Sequence, residues 1–229
     1  MDYPHRGKDG GGLPPRLMPI ENPSERTISE ENKMSKQVEF YFDVGSPYSY
    51  LAYHQLPKIA KARQAEIIWR PILLGGVFQA TGNHSPVEIP LKGKHLNVDL
   101  QRWAKQFDVD FQMNPHFPIN TLPLMRGAVA AQRRSDADLQ RYLAAVFSAM
   151  FEHPCNMNVP TEIGTVLQQA GFDPAEFMAA INDQAVKDQL KKNTAEAVER
   201  GVFGAPTFFV GDEMYWGQDR LHFVEQALA

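Results

Sequence analysis

Apolar and polar positions fall into short β-type runs at the two ends of the chain and helical periodicity between them. Val38 to Phe42 is a β-branched and aromatic run, followed by Asp43-Val44-Gly45 and then Ser46-Pro47. A serine before a proline has the chemistry of a helix N-cap with proline at the first helical position. The pattern predicts a strand, a turn and a helix from Pro47 to about Arg63, with Leu51, Leu56, Ile59 and Ala60 buried. Pro57 removes one internal hydrogen bond and is expected to kink that helix. A second strand, Glu66 to Leu73, follows at once. Strand, helix and strand in so short a span form a βαβ unit with parallel strands.

From Gly75 to about Arg200 the spacing becomes helical, with segments at Leu96 to Phe107, Leu122 to Arg134, Ala137 to Phe151, Glu162 to Ala170, Pro174 to Ile181 and Gln184 to Arg200. Strand character returns at Thr207 to Val210, Gly211-Asp212 supplies a hairpin turn, and Met214 to Trp216 is the partner strand. Asp219 then opens a last helix through Ala227. A βαβ unit and a ββα unit can share one sheet. The predicted fold is therefore α/β: a thioredoxin-like domain from residues 34–74 and 201–229, with residues 75–200 as an all-helical insertion domain. Residues 1–33 carry nine glycines and prolines and no periodic apolar face, and are expected to be a disordered leader or tag ahead of Met34.

Composition narrows the function without naming it. The chain has 229 residues, 43% hydrophobic and 22% charged, as in an ordinary globular protein. A formal net charge of −4 and the lack of any dense Lys/Arg run argue against a nucleic-acid or anionic-membrane surface. No apolar stretch approaches the roughly 20 residues needed to span a bilayer, and none resembles a signal peptide, so a cytoplasmic protein is expected. Cys155, the single cysteine, can form no internal disulfide and no multi-cysteine metal site. His153-Pro154-Cys155 is a poor metal or nucleophile candidate, and no metal site is expected.

Candidate chemistry lies elsewhere. In thioredoxin-like folds the functional point is the N-terminus of the first helix, where unpaired N–H groups and the helix dipole stabilise a thiolate. Ser46-Pro47-Tyr48-Ser49 places serines where a redox enzyme has cysteines, so this chain cannot exchange disulfides there. Ser46 is either a plain N-cap or the donor to a bound ligand's sulfur. Pro206 in Gly204-Ala205-Pro206-Thr207 opens a strand facing that helix, where a cis peptide would present backbone groups to a peptide ligand. Trp216-Gly217-Gln218-Asp219-Arg220 offers an anion site with a carboxylate, or simply a cap. Asn83 and Lys92 sit in a Gly- and Pro-enriched stretch read as an ordered loop, from which they could meet a ligand peptide group and carboxylate. Phe78, Trp69, Phe107, Phe111, Phe117 and Phe147 are core residues, some of which could wall an apolar pocket.

The segments FYFDVGSPYSYLAY, LLGGVFQATGN with IPLKGKHL, GVFGAPTFFV and WGQDRLHFVEQAL together resemble the kappa-class glutathione transferases and the 2-hydroxychromene-2-carboxylate isomerases. The resemblance covers residues 37–229. It implies that glutathione is the cofactor and that Ser46 bonds its sulfur. By the same resemblance Asn83 and Lys92 contact glutathione from the helical part, Ala205 before a cis Pro206 binds its cysteinyl backbone, and Gln218 with Asp219 holds its γ-glutamyl end. Kappa transferases often carry serine at the position of Gln218. The implied partners are a small aromatic or electrophilic substrate and a second copy of the chain. The GSPYSYLA and WGQDRL forms are closer to the bacterial isomerases, which implies a glutathione-dependent isomerase of aromatic-compound catabolism. A kappa-like transferase or peroxidase, and a non-catalytic glutathione-binding module, are the alternatives.

Overall fold

A computed structural model describes residues 36–229 of the chain. The expected leader, residues 1–33, lies outside the described residues. The described residues form one compact unit. Strand β1 (Lys36–Phe42) leads into helix α1 (Pro47–Arg63) and strand β2 (Ala65–Pro71). Seven helices follow: α2 (Leu74–Thr81), α3 (Pro90–Phe107), α4 (Leu122–Arg134), α5 (Asp136–Phe151), α6 (Pro160–Gln169), α7 (Pro174–Ala180) and α8 (Gln184–Glu199). Strands β3 (Thr207–Val210) and β4 (Glu213–Trp216), a 3-10 turn (Gln218–Arg220) and helix α9 (Leu221–Ala227) complete the chain.

The sheet order is β2-β1-β3-β4. β1 and β2 run parallel with Phe40 opposite Trp69, and β3 runs antiparallel to both β1 and β4. Both ends of the described chain thus feed one sheet, as the sequence predicts, and the fold is thioredoxin-like with many helices between β2 and β3. Strand alternation sets its two faces. Val38, Phe40, Phe42 and Phe208 point into the main core with Leu51, Leu100, Leu124 and Phe147. Phe40 stacks on Phe208 with ring centroids 5.2 Å apart. On the other face Tyr41 and Phe209 pack with Ile72, Val77, Ala197 and Val202. Arg200 closes that face: its guanidinium lies 3.8 Å over the Phe209 ring and pairs with Glu39, which Arg70 also holds.

Local differences from the sequence reading have physical causes. α1 runs through Pro57 as one helix, ended by Gln64 in the left-handed region. α2 was hidden by Gly75-Gly76, which dilute its apolar pattern. α3 begins at Pro90 rather than Leu96, because a proline at the first helical position forfeits no hydrogen bond. Lys92 therefore stands in the first turn of a helix and not in a loop, which corrects the sequence reading of that stretch. Asp219 lies in the 3-10 turn Gln218–Arg220, and the last helix, α9, begins two residues later at Leu221 rather than at Asp219.

Candidate active site

β1 ends in a turn built around a buried carboxylate. Asp43 Oδ1 accepts from the Gly45 N–H at 2.8 Å, and Oδ2 accepts from the Leu74 N–H at 2.8 Å and the Thr121 hydroxyl at 3.1 Å. One side chain thereby ties the β1–α1 turn to the starts of α2 and α4. Burial pushes the Asp43 carboxyl above its ordinary value, although all three donors favour the charged form. A Cβ at Gly45 would stand 2.6 Å from Thr121 Cγ2, so only glycine lets the turn pass that close.

The turn delivers Ser46 to the N-terminus of α1. Its Oγ accepts from the Ser49 N–H at 3.1 Å and donates to the Ala205 carbonyl at 2.9 Å. Ser46 is thus an N-cap, one of the two sequence readings, and its hydroxyl also reaches across to the segment before β3. The Ala205–Pro206 peptide is cis, and so is Phe117–Pro118, which no local sequence signal announced. Among the described residues nothing accepts from the Ala205 N–H. The Pro206 carbonyl accepts from the Gly217 N–H at 2.9 Å, which fixes the turn after β4 beside the cis peptide. Gly217 has φ +98°, and a Cβ there would meet Asp219 Oδ1. Ser49, where a dithiol enzyme has its second cysteine, is buried with a hydroxyl that finds no partner among the described residues.

These elements enclose a cavity of about 890 Å³. Ser46, Asn83, Lys92, Ala205, Gln218 and Asp219 all line it; Pro206 does not. Asn83 Nδ2 donates to the Phe203 carbonyl at 2.8 Å, bracing the end of α2 against the segment before β3. Gln218 is only 5% exposed, yet its side-chain amide hydrogen-bonds to nothing among the described residues. Asp219 pairs with Arg220. Of the aromatic residues weighed in the sequence, Phe78 and Phe117 line the cavity, whereas Trp69, Phe107, Phe111 and Phe147 belong to the core.

Sequence reasoning missed one pair in this wall. The Tyr48 hydroxyl donates to Asp99 Oδ2 at 2.9 Å, joining α1 to α3 at the cavity. Burial and the Asp99 carboxylate both push the Tyr48 hydroxyl well above its ordinary pKa, so it stays neutral. The two residues are 51 positions apart, and no local pattern links them. Cys155 is remote from the cavity: its thiol donates to Met157 Sδ at 3.6 Å, and burial followed by Glu162 pushes its pKa up. Among the described residues no cluster of three metal-binding side chains occurs, and no helix is long and apolar enough to cross a membrane.

A sheet of this topology, with a cis-proline turn facing the first helix terminus and serines at the two dithiol positions, defines a thioredoxin-like protein without the dithiol. The chain belongs to the DSBA-like thioredoxin domain family, whose model matches residues 37–229, within the group of 2-hydroxychromene-2-carboxylate isomerases and kappa-class glutathione transferases. It is 35% identical to 2-hydroxychromene-2-carboxylate isomerase of Pseudomonas putida over 83% of this chain and 93% of that one. Glutathione S-transferase kappa 2 of Caenorhabditis elegans is 28% identical, covering 85% and 92%. A solved structure of 2-hydroxychromene-2-carboxylate isomerase superimposes with a TM-score of 0.76 at 32% identity, covering 84% of this chain and 94% of that chain. These relatives are named as enzymes.

Proposed function

We propose that this chain is a glutathione-dependent isomerase of the 2-hydroxychromene-2-carboxylate isomerase type, acting on an intermediate of aromatic degradation, as a homodimer in the cytoplasm. The observation that carries the reading is the convergence on one cavity of Ser46, the Ala205 backbone, Asn83, Lys92, Gln218 and Asp219. The donors and acceptors fit a small peptide with charged ends. The Ala205 N–H and the Gln218 side-chain amide have no hydrogen-bond partner among the described residues and belong to cavity-lining residues, which supports polar ligand groups there.

When bound, glutathione supplies a thiolate, a nucleophile that adds reversibly to a conjugated system. Ser46 holds that sulfur: its hydroxyl, turned from the Ala205 carbonyl it meets in the free protein, donates toward it, at a helix terminus whose unpaired N–H groups favour negative charge. Ala205 pairs with the cysteinyl backbone, Gln218 and Asp219 hold the γ-glutamyl end, and Lys92 with Asn83 meets the remaining end. Phe78, Trp103 and Phe117 form an apolar wall that keeps water from the reacting ring. In this reading residues 34–74 and 201–229 are the thioredoxin-like frame, and the helical insertion, 75–200, brings Asn83 and Lys92 to it.

The test is an ultraviolet titration of the glutathione thiol on the wild type and on Ser46→Ala. A pKa depressed by about two units, equivalent to about 2.7 kcal/mol, and restored in the variant is the expected result. Binding with an unshifted pKa would reduce the chain to a non-catalytic binding module. The kinship with kappa transferases favours one second reading, a transferase or peroxidase using the same thiolate. It is distinguished by net consumption of glutathione, which an isomerase returns at each turnover.

A further inference from the structure

Tyr48 stands in the first turn of α1, two residues after Ser46, and Asp99 lies midway along α3. Both line the cavity, and both are half-buried. A phenol carries one proton, and Tyr48 gives it to Asp99 Oδ2 at 2.9 Å. Toward a ligand the Tyr48 oxygen is therefore an acceptor. It can receive a hydrogen bond from a ligand hydroxyl, and with Asp99 behind it the pair can receive a proton. Burial, then Asp99, then the charge of Asp219 hold the phenol neutral, which favours a relay through it over a tyrosinate base. Asp99 also differs from the other carboxylates of the lining. Asp219 is held by Arg220, and Glu88 lies 3.7 Å from His84, whereas the partner of Asp99 is a neutral hydroxyl. Taking up a proton costs Asp99 no ion pair.

The substrate class of the proposed reaction carries a matching group. A 2-hydroxychromene is a cyclic hemiketal, with its hydroxyl and its ring oxygen on one carbon. In the closed ring the double bond is conjugated to no carbonyl, so a thiolate has no acceptor until the ring opens. We infer that Tyr48 is a catalytic residue that accepts the proton of a substrate hydroxyl, with Asp99 acting through it, and that the pair opens a hemiketal ring. The hydroxyl O–H bond breaks and its electron pair forms the carbonyl. The bond from the same carbon to the ring oxygen breaks, and its pair stays on the oxygen as phenolate. The substrate proton passes to Tyr48 as the Tyr48 proton passes to Asp99, and the pair returns a proton to the phenolate. Nothing is oxidised or reduced, and no co-reactant is consumed. The open conjugated ketone then forms in the same helix turn as Ser46, where the sulfur sits in the reading above. The inference rests on that reading for the substrate class.

The experiment compares two substrates on the full chain saturated with glutathione. One is 2-hydroxychromene-2-carboxylate, which must open; the other is cis-2-methoxybenzylidenepyruvate, which its methyl ether keeps open. The wild type is expected to isomerise both. Tyr48→Phe, which removes one hydroxyl, and Asp99→Asn are each expected to lower kcat on the cyclic substrate about 100-fold or more, and to leave the open one within about threefold. A merely structural role would depress both together. Calorimetry supplies a readout apart from turnover: 2-naphthol and 2-fluoronaphthalene match in shape, and only the first donates a hydrogen bond. A wild-type preference of about tenfold for the naphthol is expected, and its loss in Tyr48→Phe. Equal losses on the two substrates, unchanged turnover in Tyr48→Phe, or a naphthol preference absent from the wild type or retained in that variant overturns the inference. So does a wild type that isomerises the open substrate alone. A wild type that isomerises neither removes the functional reading together with the inference.

Discussion

Ser46 and Ala205, 159 positions apart in the chain, are joined by a 2.9 Å hydrogen bond from the serine hydroxyl to the alanine carbonyl. The same hydroxyl oxygen accepts from the Ser49 N–H and so caps α1. Ser46→Ala removes both bonds. The cap is worth about 1 kcal/mol, and the orphaned Ala205 carbonyl adds about as much again. Denaturant unfolding is expected to register a loss of that size with the fold retained, while turnover falls by orders of magnitude. Turnover equal to that of the wild type would confine Ser46 to capping.

Lys92 stands exposed at the mouth of the cavity, in the first turn of α3. Lys92→Ala is expected to weaken glutathione binding, and more so at low ionic strength, because salt screens an exposed charge pair. Calorimetric titration at two salt concentrations measures it. An unchanged affinity at both would place Lys92 outside the binding set.

Asp43 gives the clearest dependence on pH. Its folded carboxyl holds a proton more tightly than the unfolded chain does, because burial raises it from the ordinary 3.8. Below 3.8 both states are protonated. As pH rises from there through the raised folded value, the unfolded state releases its proton first, so this group's contribution to stability falls and then levels off. Urea unfolding across that range is expected to reveal the slope in the wild type and to lack it in Asp43→Asn. The variant also sets an amide NH₂ among three donors, so a loss of about 1–3 kcal/mol at neutral pH is expected.

Cys155→Ser is expected to leave turnover unchanged. The thiol is half-buried and its pKa is raised by burial and by Glu162, both of which suppress the thiolate. Loss of activity in the variant, or rapid alkylation of the wild type at neutral pH, would contradict this.

Gly217→Ala forces a side chain into a positive-φ position and against Asp219 Oδ1. The expected cost is about 1–3 kcal/mol, with weaker glutathione binding through displacement of Asp219 and Gln218. Thermal unfolding and calorimetry on one preparation would report the two effects separately.

Much of this architecture is written in local pattern. The β1–α1–β2 unit, both C-terminal strands and the helices from α4 to α8 follow from periodicity and capping residues, because those signals lie within one or two turns of chain. The Ser46 cap was readable for the same reason. Elements diluted by glycine, as in α2, or announced by a proline that suits both loops and helix starts, as in α3, were not. Asp43, the Tyr48–Asp99 pair and the bracing of Asn83 against Phe203 are tertiary contacts spanning 31 to 120 positions, and no window of sequence contains both partners. Of the residues named by resemblance, Ser46, Asn83, Lys92, Ala205, Gln218 and Asp219 line one cavity and Pro206 does not, an arrangement that emerges only once α3 packs against α1 and α2 against α8.

The cavity draws its walls from the beginning, the middle and the end of the described chain, so no contiguous stretch contains it. A ligand bridging those walls binds only when β3 has docked beside β1 and α3 lies against α1. Its binding free energy is therefore added to the whole cooperative unit and not to a local loop, and it opposes every partial opening that separates the two ends of the chain. Hydrogen exchange in the presence of ligand would slow together in β1, α3 and β3, making the molecule's slowest breathing motion an indicator of occupancy.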